Sequence, residues 1–258
     1  MAGSVGTEGI GQFAIALRWN AGSSASGRSC LAPWLSALLL VPGVVAGAPF
    51  QDFQIWTAIT AKGTLGLVDP RASPLRFWLE GQGRYGNDAT TLSQGILRAG
   101  VGYALNDHSS LWLGYAYVPT MEPFTTHSRN EQRSWQQYLW STRTDSGHWN
   151  LRTRIEQRYR PDDDSKVGWR FRQQIKFSQP IAAWTDWSWV LSDELFINMN
   201  RTSYTNEGFN QNRIFVGMAY RWSETIHTEV GYLNQFSNRD GAPNELHHIL
   251  SLALYLDD

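Results

Sequence analysis

Cysteine is almost missing from these 258 residues. Cys30 stands alone, so no disulfide can form within the chain. Nor is there a surplus of charge, since 22 Lys and Arg face 23 Asp and Glu. A balance that close gives no general pull toward nucleic acid or an anionic surface. Beyond residue 50 no apolar run approaches the ~18–20 residues that a membrane helix needs. In the same part no segment repeats with the helical period. These absences exclude a disulfide scaffold, a charge-driven nucleic-acid binder and a helical membrane domain. They do not exclude a membrane barrel, whose strands dilute apolar residues with polar ones.

One long apolar run is present near the start, "LAPWLSALLLVPGVVAGAP", Leu31 to Pro49. Arg28 precedes it and small residues close it, which is the order of a secretory signal. Val44 and Ala46 are the small residues that would precede cleavage after Ala46, and Pro33 and Pro42 argue against a buried helix. Residues 1–46 are therefore expected to be a signal peptide with an unusually long, Gly/Ser-rich N-terminal extension. Residues 47–258 are expected to be one exported domain. Cys30 lies before the apolar run, where it does not serve as a lipid anchor. The exported part holds no cysteine, and its 20 basic and 22 acidic residues stay close to balance.

That domain reads as a succession of strand-period segments. "LRFWLEGQGRY" sets Leu75, Phe77 and Leu79 against Arg76, Glu80 and Arg84. "LRAGVGYAL" sets Leu97, Val101 and Tyr103 against Arg98 and two glycines, and "LWLGYAYV" carries Leu111, Leu113, Tyr115 and Tyr117 on one parity. In "WNLRTRIEQRYR" Leu151 and Ile155 alternate with Arg152, Arg154, Glu156 and Arg158. "VGWRFRQQIKFS" places Arg170, Arg172, Gln174 and Lys176 opposite Trp169, Phe171, Ile175 and Phe177. "NRIFVGMAYRW" alternates Arg213 and Arg221 with Ile214 and Val216, and "HILSLALYL" closes the series. Weaker strands fill 53–62, 131–144, 187–200 (with Glu194) and 227–235 (with Glu229). Over 131–144 neither parity stands out as the apolar one.

From residue 105 on, short connections such as "NDHS", "TDSGH", "AAWTD" and "SETI" alternate with longer polar ones such as "RPDDDSK" and "RTSYTNEGFNQ". Short turns on one rim and longer loops on the other are the arrangement of a membrane barrel. Trp112, Trp149, Trp184, Trp187 and Trp222 flank the short turns, while Tyr85, Tyr117 and Tyr159 lie toward the longer loops. Two aromatic rims of this kind would serve as interfacial girdles. The expectation is an all-β fold, an antiparallel up-and-down transmembrane β-barrel in the bacterial outer membrane. Eleven segments can be counted, but single-chain barrels of this kind have even numbers. About twelve strands are therefore expected, with ten as the alternative.

The ordered set "QDFQIWTAIT", "LEGQGRYGND", "LRAGVGYALNDHSSLWLGYAYVP", "NEQRSWQQYLW", "RTRIEQRYR", "GWRFRQQIKF", "DELFINMN" and "NRIFVGMAYRWSETIHTEVGYLNQ" resembles the bacterial family known as domain of unknown function 2490. The resemblance runs over Gln51 to Leu256. It implies an outer-membrane β-barrel and carries no activity with it. Outer-membrane barrels often finish on an aromatic residue read by the assembly machinery. Here Tyr255 and Leu256 precede two aspartates.

No catalytic, cofactor or metal site emerges. His247 and Ser251 share a strand face but stand roughly 13 Å apart at ~3.3 Å per residue, too far for a Ser–His hydrogen bond. His108 and His148 read as turn residues, and "PDDDSK" lacks the glycine and terminal glutamate of a calcium loop. A barrel hydrolase is the less favoured reading. What remains is a charged inner face: Arg76, Glu80, Arg84, Arg98, Arg152, Arg154, Glu156, Arg158, Arg170, Arg172, Gln174, Lys176, Glu194, Arg213, Arg221 and Glu229. Such residues either pair and plug a barrel or line a small pore that prefers anions. A secreted soluble β-barrel or sandwich acting as a binding module is the third reading. The expected partners are the lipid bilayer and the outer-membrane assembly machinery, without cofactor or nucleic acid.

Overall fold

Alternation with a period of two suits strands whose two faces meet different surroundings. In the computed structural model, which describes residues 50–239 and 241–257, that pattern forms eleven strands. They are β1 (Phe50–Thr64), β2 (Leu75–Gly86), β3 (Thr91–Ala104), β4 (Ser109–Thr120), β5 (Arg129–Thr144) and β6 (Gly147–Tyr159). β7 (Gly168–Ile181), β8 (Trp184–Asn198), β9 (Gly208–Arg221), β10 (Ile226–Ser237) and β11 (Glu245–Asp257) complete the series. The signal-like run, its cleavage point and Cys30 lie outside the described residues. No helix among the described residues is long and apolar enough to cross a membrane.

Each strand pairs with the next in antiparallel fashion, and the sheet closes into a barrel through β1 and β11. That last pairing is parallel, from Phe50 opposite Glu245 to Lys62 opposite Asp257. An up-and-down series with an odd number of strands ends in the direction in which it began, so parallel closure is the only one open to it. The count of eleven falls within the ten-to-twelve range. The step from eleven to twelve rested on the even strand numbers of single-chain barrels, and parallel closure of eleven strands makes it unnecessary.

The connections sort onto two rims. Residues 65–74, 105–108, 145–146, 182–183 and 222–225 lie on the turn rim, where β11 also ends. Residues 87–90, 121–128, 160–167, 199–207, 238–239 and 241–244 lie on the loop rim, where β1 starts. Two loops there are tied together. The Tyr204 hydroxyl donates to the Arg158 carbonyl (2.7 Å) and accepts from the Gly168 amide (3.1 Å). Asn200 bonds the backbone of Val167 and Trp169, and Asp164 accepts the amides of Ser203 and Lys166, both at 3.0 Å. Within "PDDDSK" Asp164 is thus held by backbone amides, and Asp163 faces Arg129 and Arg160.

The two faces of the sheet are opposite in character. Outward lie Leu79, Leu97, Val101, Leu113, Val216, Val230 and Leu252, all exposed, with Leu97 at 64%. Inward lie charged side chains and an indole cluster. Trp78 meets Trp112 edge-on at 5.6 Å and Trp135 at 6.2 Å, and Ile96, Ala116 and Val118 pack with them. Rings in such contact contribute about 0.5–1.5 kcal/mol per pair beyond the area they bury. They fit because the strands carry glycine where the rings lie: a Cβ on Gly102 would overlap Trp112, and one on Gly100 or Gly114 would overlap Trp135.

Trp112 therefore does not belong to the aromatic girdle. It lies on the parity opposite Leu111 and Leu113, is 7% exposed, and bonds Ser110 through its indole nitrogen at 2.8 Å. The other turn-rim indoles do face outward: Trp149 packs on Phe177, and Trp187 and Trp222 both contact Tyr220. Trp184 is exposed at the same rim, Tyr117 and Tyr159 are exposed toward the loop rim, and Tyr85 is partly exposed there.

The outer face is not uniformly apolar. From β5 to β9 it carries Ser134, Gln136, Gln157, Thr153, Gln173, Asp193 and Asn212, joined by cross-strand bonds such as Thr153 to Gln173 (2.7 Å) and Asn212 to Asp193 (2.5 Å). β5 is thus polar on both faces.

Candidate functional site

The barrel interior holds buried ion pairs built from alternate residues of seven strands. Its centre is Glu156 on β6, 1% exposed. Glu156 accepts Arg170 Nη2 at 2.5 Å and Arg172 Nη1 at 2.6 Å, with Arg154 Nη1 at 3.6 Å. Arg172 also reaches Glu194 on β8 through Nη2 (2.7 Å) and Nε (2.9 Å), where Arg152 joins at 2.8 Å. A planar guanidinium fork can span two carboxylates in this way, which a lysine cannot do with the same geometry.

Nearer the loop rim, Glu131 on β5 receives Arg158 through two parallel bonds of 2.8 Å, with Arg133 at 2.5 Å and Arg160 close by. Toward the turn rim, Glu80 holds Arg98 at 2.5 Å and the Trp78 indole at 3.0 Å, and Glu229 holds Lys176. Aromatic rings complete the packing. Arg154 lies 4.7 Å from the Trp135 centroid, and Arg170, Arg172 and Arg213 surround Phe196 within 5.3 Å.

Of the sixteen residues read from sequence as an inner face, Glu80, Arg98, Arg152, Arg154, Glu156, Arg158, Arg170, Arg172, Lys176, Glu194 and Glu229 join this network. Arg84 and Arg213 lie inside it without a carboxylate. Arg76 bonds the Ser73 carbonyl and Arg221 pairs with Asp186, both at the turn rim and away from the network. Gln174 shares the parity, but its backbone carbonyl rather than its side chain accepts Gln173.

Sequence reasoning missed Glu131, Arg133 and Gln137 because β5 alternates polar with polar. It also missed Trp56, Trp78, Trp135 and Phe196, apolar residues placed on the charged parity. Glycines opposite those rings were the available signal for Trp135.

The histidines stand apart from one another. His247 faces in and contacts Gln54 (3.0 Å) and Glu245 (3.4 Å). His248 faces out, 2.6 Å from the Tyr232 hydroxyl, and neither contact involves Ser251. His108 sits in its turn against the Ser141 carbonyl, whereas His148 belongs to β6.

On the loop rim the amides of Ser203 and Lys166 hold the Asp164 carboxyl below its ordinary range. Chemically, the interior offers charge and hydrogen-bond donors, and among the described residues its charged side chains are engaged mainly with one another. Its best-defined property is electrostatic: many guanidiniums share few carboxylates.

The description "protein of unknown function (DUF2490)" applies to a family model that matches residues 53–246. An uncharacterized protein of Methylorubrum extorquens is 36% identical over 227 residues, which cover 86% of this chain and 95% of that one. The family model runs from within β1 through β10 and takes in the buried network, and on that footing the chain belongs to the DUF2490 family.

Proposed function

We propose that the protein is an outer-membrane β-barrel closed by its own side chains, acting through its loop rim rather than as an open channel. The observation that carries this reading is the inversion of polarity. Arg154 and Trp135 are 0% exposed inside, while Leu97, Val101 and Leu113 stand exposed outside. A belt of exposed apolar side chains this extensive calls for a cover, and lipid supplies one. Closure is supported by buried inward residues on every strand, from Trp56 and Glu80 round to Glu229 and Ile249. With the water path filled in this way, the tied loops 160–167 and 199–207 are the surface left for a partner. The apolar run at Leu31–Pro49 gives a route for export.

The test is fractionation of cells expressing the full chain, followed by gels with and without heating. The reading expects sedimentation with outer membranes, extraction only by detergent, and a band that shifts on boiling. Recovery in the soluble periplasm without detergent rejects it and favours the secreted β-barrel. A small anion-preferring pore is the second reading, favoured by the interior excess of arginine over glutamate.

A further inference from the structure

The buried charges do not balance. Ten cations lie on the inward parity through the body of the barrel: Arg84, Arg98, Arg133, Arg152, Arg154, Arg158, Arg170, Arg172, Lys176 and Arg213. Facing them are five glutamates, Glu80, Glu131, Glu156, Glu194 and Glu229. Eight of these cations have a carboxylate within ion-pair distance. Among the described residues, Arg84 and Arg213 have none. Glu131, Glu156 and Glu194 each already serve more than one arginine, and Glu80 and Glu229 hold Arg98 and Lys176. Glu194 stands across the strand pair from Arg213 but makes its ion pairs with Arg152 and Arg172.

The two unpaired guanidiniums are neighbours. Both lie against one indole, with Arg84 3.8 Å and Arg213 4.9 Å from the Trp56 centroid. A ring face softens a cation's loss of water but carries no net charge. No acid lies within ion-pair distance of Arg84 among the described residues, whereas Arg213 has Glu194 cross-strand from it, already engaged by Arg152 and Arg172. Donors also remain unused. Arg84 gives Nη1 to Gln94 (2.9 Å) and Nη2 to Gln82 (3.1 Å), but its buried Nε has no partner. Arg213 gives Nε to Gln235 (2.8 Å), which leaves both terminal nitrogens available. The nearest rim acids are already engaged: Asp52 with Gln54 and the Asp88 amide, Glu245 with His247 and Arg239.

We propose that Arg84 and Arg213, flanking Trp56 below the loop rim, form a binding site for a small inorganic oxyanion of the phosphate or sulfate class. Burying like charges together without a counterion is costly, and an anion removes that cost. Guanidinium forks match oxyanions through paired N–H donors, which a halide cannot use fully. Size is limited because Trp56 and the glutamate–arginine network close the space beneath. Access is from the loop rim: Arg84 is two residues from the end of β2, Arg213 is five residues into β9, and both side chains are partly exposed.

The experiment is calorimetric titration of the folded full chain with inorganic phosphate, then sulfate, at constant ionic strength set by chloride. Saturable binding of one oxyanion per chain is expected. Arg213→Gln should weaken it about tenfold or more, as loss of charged hydrogen bonds implies. Arg213→Lys, which keeps the charge but not the fork, should fall between the two. In anion-poor buffer Arg213→Gln should unfold at a higher denaturant concentration than the parent, because it removes an unbalanced charge. Phosphate should raise the midpoint of the parent more than that of the variant. Absence of saturable binding by either oxyanion overturns the proposal, as does unchanged affinity in a folded Arg213→Gln protein.

Discussion

The guanidinium of Arg154 lies 4.7 Å from the ring centroid of Trp135, and neither side chain has any exposed surface. Arg154 donates Nε to Gln137 at 2.7 Å, but its two terminal nitrogens make no hydrogen bond, and Glu156 is 3.6 Å away. A cation on a surface strand would be cheap to delete, whereas here the outcome depends on which partner is removed.

Glu156→Gln and Arg154→Met should therefore differ sharply. The first leaves Arg154, Arg170 and Arg172 with one carboxylate fewer, and a broken buried pair costs ~3–5 kcal/mol. The second removes a poorly satisfied charge and fills its space, so it should be close to neutral or stabilising. Urea unfolding in lipid or detergent micelles, read by tryptophan fluorescence, distinguishes them. Equal losses in the two variants would mean that the network is not cation-rich as described.

Closure can be tested by chemistry the chain otherwise lacks. Ala58 on β1 lies directly opposite Ala253 on β11. Paired strands bring Cα atoms within the range that a disulfide tolerates. Ala58→Cys with Ala253→Cys should crosslink on oxidation and run faster on a non-reducing gel, while Ala58→Cys with Leu250→Cys, off register, should not. Crosslinking of the off-register pair alone would place the seam elsewhere.

The orientation of the sheet predicts unequal responses at one height. Leu113 and Gln136 are cross-strand neighbours, both facing outward. Leu113→Arg should lower stability by ~2–4 kcal/mol in bilayers, the cost of a charge on the lipid face. Gln136→Arg should cost less, since that position is already polar and bonded to Gln157. Refolding yields into vesicles measure both.

On the loop rim, acid should act through Asp164. Its carboxyl titrates below the ordinary value because the Ser203 and Lys166 amides bond the ionised form. A depressed folded value means that the contribution is present above the unfolded carboxylate pKa of ~3.9 and is lost as pH falls through the lower one. Loops 160–167 and 199–207 should then become cleavable by an acid protease, and Asp164→Asn should remove this pH dependence. A parent protein whose loops stay protected throughout that window would show that Asp164 does not hold them.

Much of this was legible in the residues. All eleven strands lie on the segments read from the sequence, most of them through period-two alternation and β5 without a clear apolar parity, because the two faces of a closed sheet meet different surroundings. The inward parity of β6 and β7 could be read directly, since Leu151 and Ile155 oppose Arg152 and Arg154 without ambiguity. The seam could not, because alternation says nothing about which distant strand a neighbour is, and Phe50 meets Glu245 across 195 positions. Glu131 and Arg133 were hidden by Gln132, Ser134 and Gln136, polar residues on the face that β2 to β4 keep apolar. Trp112 was misplaced because its nearness to a turn outweighed its parity. The space that Gly102 leaves on the next strand explains where its ring goes.

The central claim is that a membrane barrel is sealed by its own ion pairs and rings. Single-channel recording in planar bilayers tests it most directly, using refolded full chain that shows the heat-dependent gel shift. The account predicts a flat trace at every voltage, with steps appearing only when the interior is opened, as in Trp135→Ala combined with Arg172→Ala. Stable conductance steps from the unaltered protein would contradict it and make the arginine-rich interior a path for anions.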